Sequence, residues 1–478
     1  MQKSIFWYDY ETTGINPRAD RPVQVAGIRT DEDLNIIAEP VNLYAALSDD
    51  ILPSPVACLV TGITPQILAE KGLSEARFMQ KVHAELSQVG TCGAGYNSVR
   101  FDDEVTRYSL YRNFYDPYAR EWQGGNSRWD LIDVLRTAYA LRPEGIVWPQ
   151  GEEGLVSLRL EALSAANGLE HANAHDALSD VYATIALARL VKTAQPKLYE
   201  YLYAQRSKQA IAARITLLKP MVHVSGQFGA ERHYLAPVLP LAWHPTNRNA
   251  LIVADLGKEI APLIDEDAMT LKERLYTRRE ALQGVLPVPL KLIHLNRCPV
   301  LLPLSIVRTQ DAPRLNWQPE AFMAKAQQLI NAEQNWQPKL QALYSAEFDA
   351  PSIDPEQQLY AGFIGTQDRQ WCEKVRRAEP CELAKFAEVF VDKRLPELLF
   401  RFRARNYPQT LSQAEQVQWQ QFCRDRLSAE HMGAPLTLSA FEQQCLALQQ
   451  EISEGQKQVL EAWRQYVAEL AWKYKVSN

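Results

Sequence analysis

Asp9 and Glu11 stand two positions apart at the end of the apolar run Ile5-Phe6-Trp7-Tyr8. Residues i and i+2 of a strand share a face. The two carboxylates therefore lie side by side, with the apolar run buried behind them. Adjacent carboxylates repel, and one protonates unless a cation lies between them. Magnesium suits such a pair, because it binds through one or two carboxylates and keeps positions for water and phosphate oxygens. Alone, Asp-x-Glu is a common pattern, and Thr12-Thr13-Gly14 behind it fits an ordinary polar turn.

Two further acidic segments lie downstream. In Gly95-Tyr96-Asn97-Ser98-Val99-Arg100-Phe101-Asp102-Asp103-Glu104 a strand ends near Asn97 and a helix begins near Asp102. Asp103 and Glu104 suit the first helical turn, where carboxylates meet the positive end of the helix dipole. Asp102, beside Phe101, is the member placed to do more. In Asn173-Ala174-His175-Asp176-Ala177-Leu178-Ser179-Asp180 a second helix starts near Ala174 and runs to about Val191. Leu178, Val181, Ile185 and Leu190 line its buried side. Asp180 falls among them, where an ionised carboxylate is costly unless paired or metal-bound. His175, at the helix mouth, fits equally well as a capping or surface side chain.

These residues need a scaffold. Ile5–Tyr8, Val23–Arg29, Leu34–Val41 and Thr91–Tyr96 read as strands. Ala76–Leu86, Phe101–Tyr111, Leu131–Leu141 and Ala174–Val191 read as helices, giving an α/β domain over residues 1–192. Residues 193–348 are proline-punctuated and β-rich, with runs at Met221–Val224, Ala250–Asp255 and Val288–Leu295 and a helix near Leu271–Leu282. Residues 349–478 are helical by periodicity, in Leu383–Phe402, Ala414–Leu427, Leu438–Ile452 and Gly455–Tyr474.

The 478 residues are 46% hydrophobic and 23% charged, an ordinary globular composition. No run reaches the ~20 apolar residues that span a bilayer, and the N-terminus has no signal-peptide pattern, so a cytoplasmic protein is expected. Seven scattered cysteines without a CxxC support neither a disulfide framework nor a zinc site. A net charge of −6 excludes indiscriminate nucleic-acid binding over the whole surface but not a local basic groove. Between Asn97 and Arg142 lie seven arginines and nine aromatic residues, about double the chain-wide aromatic share of 9%. Arginine forks suit phosphates, and aromatic faces stack on unpaired bases of any identity. Seven acids in the same segment cancel its charge, so a groove requires that the arginines be sorted in space.

The joint pattern, Asp-x-Glu, a distant Asp and then His-x4-Asp, resembles the DEDDh exonucleases of the RNase H-like superfamily. The stretches Arg100–Arg107, Tyr111–Tyr118, Asn126–Leu131, Ala140–Ile146, Asn173–Ala177, His223–Gly226, Trp243–Asn249, Lys291–Val300 and Phe390–Arg394 narrow the likeness to bacterial exodeoxyribonuclease I over essentially the whole chain. The resemblance implies an RNase H-like exonuclease domain, an SH3-like barrel domain with helical insertions and an all-α C-terminal domain. It implies processive, metal-dependent release of 5′-mononucleotides from the 3′ end of single-stranded DNA, with a role in DNA repair and recombination. Asp9, Glu11 and Asp180 would hold one magnesium ion and Asp102 would complete a second site, with manganese as a substitute. Two ions ~4 Å apart stabilise both the attacking and the leaving oxygen. His175 would be the general base, a task suited to an imidazole with an ordinary pKa near 6.5.

The same resemblance places Glu11, Arg107, Tyr118, Trp122, Arg136, Arg142, Arg159, Tyr201, Lys208, Asn249, Lys291, His294, Asn296 and Gln358 along the strand. Arg159 is nearest the 3′ end. Leu158 stands where the family can carry an aromatic. Lys219 and Arg308 match basic positions of a surface that docks the acidic C-terminal tail of single-stranded DNA-binding protein. Asn331 and Pro303 depart from that surface. A monomer is expected. A DEDDh exoribonuclease, a proofreading exonuclease and a non-catalytic single-strand scaffold are the competing readings. Nothing downstream resembles a polymerase.

Overall fold

The computed structural model describes residues 3–476 except 152–153, 170–175, 278, 283, 345–353, 429–432 and 449–451. The chain forms two compact units. One comprises residues 1–127, 171–185 and 350–478, and the other residues 128–170 and 186–349.

The first unit is built on β1 (Ser4–Thr12), whose nine residues are buried apart from the half-buried Asp9. β-branched and aromatic side chains favour such a strand, and Trp7 satisfies its indole by donating to Thr30 Oγ1 at 3.0 Å. β1 pairs antiparallel with β2 (Pro22–Thr30) and parallel with β5 (Thr91–Gly95). The sheet order is β4-β3-β2-β1-β5-β6, with β3 at Val41–Ala45, β4 at Gly72–Leu73 and β6 at Ser127–Asp130, where the chain leaves this unit. Gly95 ends β5 beside the site. A Cβ there would lie 2.8 Å from the Tyr8 carbonyl oxygen, so only glycine permits the approach.

The third strand differs from the expected Leu34–Val41. The Asp31 carboxylate accepts from the Asp33 and Asn35 amides and turns the chain, and Leu34 takes a φ of +69°. Ile36 makes only an isolated bridge to Thr30, and a continuous ladder begins at Val41. The expected helix Leu383–Phe402 is likewise interrupted. A 3-10 turn covers Pro380–Phe386 and a helix Arg394–Asn406. Between them, the Asp368 carboxylate takes the amides of Val391 and Asp392 out of any helix.

Residues 350–478 pack into the same unit as residues 1–127. Val23, Leu52, Ile63 and Leu68 share one apolar core with Cys423, Phe441, Trp463 and Leu470. The Trp463 indole donates to the Ile63 carbonyl at 2.9 Å. A buried ion cluster adds to this: Arg405 pairs with Asp50 and Glu356, and Arg426 with Asp354.

The second unit carries an antiparallel five-stranded sheet of order β10-β9-β8-β7-β11, with β7 at Met221–Val224, β8 at Leu235–Trp243, β9 at Ala250–Asp255, β10 at Leu290–His294 and β11 at Val300–Pro303. β8 accommodates Pro240 at an irregularity between Pro240 and Ala242, where no ladder donor is required. Among the described residues, no helix is long and apolar enough to cross a membrane.

Candidate active site

Strand alternation sorts β1 into two faces. Tyr8 and Tyr10 point into a core with Phe78, Val82 and Val105. Tyr8 donates its hydroxyl to Asp103 Oδ1 at 2.6 Å, and Arg120 donates to the same oxygen at 2.5 Å. Tyr10 accepts a hydrogen bond from Thr106. These contacts bind the helix Asp102–Arg112 to β1 by its first turns. Backbone pairing of β1 with β5 stops at Trp7 and Ala94. Beyond it, the Tyr10 amide donates to Asp102 Oδ1 at 3.1 Å. A carboxylate thus takes over where the sheet ladder ends.

Asp9 and Glu11 occupy the opposite face. With Asp180, in the first turn of the helix Ala177–Ala194, each offers a carboxylate oxygen, and these oxygens lie within 4.8 Å of one another. Burial pushes the Asp9 carboxyl well above its ordinary range, and the charges of Asp102, Glu11 and Asp180 push it further. Burial, then Asp180, Asp102 and Asp176, raise Glu11 to about 8. The cluster therefore holds protons at neutral pH unless a cation replaces them. An all-oxygen donor set of this charge fits a hard divalent cation. Asp9, Glu11 and Asp180 are the residues that would hold it, with Asp102 adjacent.

The sequence therefore locates three members of the cluster, and the structure brings Asp102 beside them. His175 lies outside the described residues. Asp176 and the Tyr8–Asp103–Arg120 anchor were not singled out. Asp176 was visible only as the neighbour of His175, and Arg120 only as one of seven arginines.

The expected strand contacts fall into distinct groups. In the first unit, Trp122 is 67% exposed. The Tyr118 ring meets Tyr360 at 6.4 Å and the exposed Phe363 at 6.1 Å, and Gln358 is half-buried. Arg107, expected along the strand, is engaged by neighbouring acids. It is 3% exposed, forks onto Glu121 at 2.7 and 2.8 Å and donates to Glu104 at 2.7 Å. Glu104, three positions earlier on its helix, and Glu121, on the following turn, share the guanidinium between them. In the second unit Arg136 behaves alike, donating to Asp133 at 2.7 Å under the Tyr234 ring.

Other expected contacts in the second unit are open. Arg159 is exposed, and the exposed Lys208 donates to Asn249 at 2.5 Å. Arg214 lies over the Tyr201 ring at 4.9 Å. Lys291 donates to Gln227, and the Asn296 carbonyl accepts from Arg128. Burial, then the charges of Arg297, His244 and Lys291, lower the His294 pKa. Arg142 donates to the Ile306 carbonyl at 3.2 Å. Of the two expected docking residues, Lys219 is exposed, whereas Arg308 is paired with Asp311 and Glu144 at 2.5 Å each. The Leu158 side chain is buried.

Family models match in three consecutive segments: an exonuclease model over residues 6–188, the exonuclease I SH3-like domain over 206–346 and the exonuclease I C-terminal domain over 353–470. Exodeoxyribonuclease I of Escherichia coli K12 is 47% identical over 475 residues, 98% of each chain. The chain belongs to the exonuclease I family. Exonuclease I folds accordingly agree: E. coli exonuclease I in complex with a dA16 oligonucleotide superposes with a TM-score of 0.93 at 46% identity, covering 98% of this chain and 100% of that one. A crystal structure of SSB/exonuclease I in complex with the inhibitor CFAM gives 0.91 at 45% identity, with coverage of 98% and 100%. The exonuclease domain, the SH3-like domain and the helical C-terminal region expected from sequence are thus all present.

Proposed function

We propose that this member of the exonuclease I family is a divalent-metal-dependent 3′→5′ exonuclease on single-stranded DNA, releasing 5′-mononucleotides. The carrying observation is the cluster of the buried Glu11 with the half-buried Asp9 and Asp180, whose like charges call for a cation. The ions are magnesium, two per site, with manganese as a substitute. When bound, they polarise the scissile phosphodiester and stabilise charge on the attacking and leaving oxygens. Asp9, Glu11 and Asp180 would hold one ion, and Asp102 would complete the second position. A His175 imidazole nitrogen takes the proton of the attacking water, and the leaving 3′ oxygen is protonated as the nucleotide departs.

Trp122 and Tyr118 stack on bases, and Arg159, Lys208, Lys291 and His294 meet phosphates, which orients the strand by its backbone and reads no sequence. Arg142, Tyr201, Asn249, Asn296 and Gln358 complete that path. The functional borders are 1–192, 193–348 and 349–478. The partner surface carries Lys219 and receives the acidic C-terminal tail of SSB. The protein works as a cytoplasmic monomer in DNA repair and recombination.

The test is hydrolysis of matched DNA and RNA oligonucleotides with and without magnesium. Magnesium-dependent release of nucleotides from DNA, with RNA resistant, is the expected result. Preference for RNA assigns an exoribonuclease, and binding without release assigns a scaffold. Asp180→Ala is expected to abolish release while leaving strand binding, and His175→Ala to slow it by roughly 10²–10⁴-fold.

A further inference from the structure

The short segment Pro355–Gly362, far from the nuclease motifs in sequence, touches the turn that follows Glu11 and the helix that begins with Asp102. Glu356 is 1% exposed and accepts from Arg21 Nη2 at 2.6 Å and from Arg405. Arg21 closes the turn that follows Glu11. Its amide donates to Thr13 Oγ1 at 2.9 Å, its carbonyl accepts from the Thr13 amide at 2.9 Å, and Nη1 donates to the Ala19 carbonyl. Four residues beyond Glu356, the Tyr360 hydroxyl donates to Glu104 Oε2 at 2.6 Å and accepts from Arg107 at 3.0 Å. Glu104 stands in the first turn of the helix that begins with Asp102. The Tyr111 hydroxyl, on the same helix, donates to the Pro355 carbonyl at 3.0 Å.

The segment is itself clamped. Arg394 donates to the Gln358 and Gly362 carbonyls at 2.6 and 3.0 Å, and Asp354 just before it accepts from Arg401 and Arg426. Gln358, a proposed strand contact, lies between the two braces.

We propose that Glu356 and Tyr360 are positioning residues for the metal-binding carboxylates. Glu356 holds the Glu11 turn through Arg21, and Tyr360 holds the Asp102 helix through Glu104 and Arg107. This rests on the functional reading above and extends it. Alignment of the nuclease carboxylates is set by the C-terminal region, on the same short segment that meets the strand. It also gives Arg107 its place, as part of the brace.

Tyr360→Phe removes only the hydroxyl and keeps the ring at 5.9 Å from Tyr108 and 6.4 Å from Tyr118. Manganese alone is titrated into the full chain without DNA and followed by electron paramagnetic resonance. kcat, KM for single-stranded DNA and the melting temperature are measured in parallel. Loss of a hydrogen bond to a charged group is expected to lower kcat and weaken manganese binding by about three- to tenfold each, with KM within about twofold. Glu356→Gln is expected to act in the same direction, provided its melting profile shows it folded. Unchanged kcat and manganese affinity in Tyr360→Phe, with or without a lower melting temperature, overturn the proposal. If the unaltered protein releases no nucleotides, the functional reading fails. The manganese titration then still decides whether Tyr360 shapes the cluster.

Discussion

Replacing Glu11 with glutamine keeps the side chain's size and removes one charge from the cluster. The Glu11 carboxyl is raised from 4.5 to about 8 by burial and by Asp180, Asp102 and Asp176. The folded state therefore holds this proton more tightly than the unfolded state. Its contribution to stability is complete below pH 4.5, declines as pH rises, and is lost once pH passes the folded value near 8. The interval spans about 3.5 pH units, which at 1.36 kcal/mol per unit sets a ceiling of about 5 kcal/mol. Sharing of protons with Asp9 and Asp180 brings the expected gain for Glu11→Gln to about 1–3 kcal/mol at pH 8.5. Thermal melts in EDTA at pH 5, 7 and 8.5 read this directly. The metal-free variant is expected to melt on the order of 2–6 °C above the unaltered protein at pH 8.5, with the gap closing toward pH 5. Magnesium is expected to raise the unaltered protein's melting temperature at pH 8.5 far more than the variant's. A variant that melts at or below the unaltered protein at pH 8.5 without metal refutes the reasoning.

Three further outcomes are expected. Asp354→Ala removes an acceptor at 2.6 and 2.7 Å from the buried Arg401 and Arg426, which keep Glu397 and Asp50 as weaker partners, and urea unfolding should show a loss of about 2–4 kcal/mol. Trp122→Ala, at an exposed ring, should weaken single-strand binding by about 1–3 kcal/mol in a fluorescence titration, with kcat at saturating strand retained. Lys291→Ala should lower the slope of log binding constant against log salt by about one, whereas Arg107→Ala, at a buried guanidinium, should leave that slope unchanged.

The nuclease cluster was legible because strand and helix periods are local. Two positions in β1 fix the face shared by Asp9 and Glu11, and one helical turn fixes Asp180. Asp102 was legible as the start of a helix, but its hydrogen bond from the Tyr10 amide depends on where β5 stops. Long-range pairings were hidden. Nothing near Arg21 announces Glu356, and nothing near Trp463 announces Ile63. The resemblance placed Arg107 along the strand, and its pairing with Glu121, fourteen residues away on a different element, was not visible. The third strand was placed too early because the turn chemistry of Asp31 takes Leu34 and Asn35, leaving only an isolated bridge from Ile36 to Thr30 before Val41. Cohesion of the C-terminal helices with the first unit came from packing and buried ion pairs that no periodicity encodes.

The central claim is tested most directly by one oligodeoxynucleotide carrying distinct labels at its 3′ and 5′ ends, incubated with the protein and sampled over time with magnesium and with EDTA. The 3′ label is expected to appear first as a 5′-mononucleotide, the 5′ label last, and neither in EDTA. Release of the 5′ label first, internal fragments, or release in EDTA contradicts the claim.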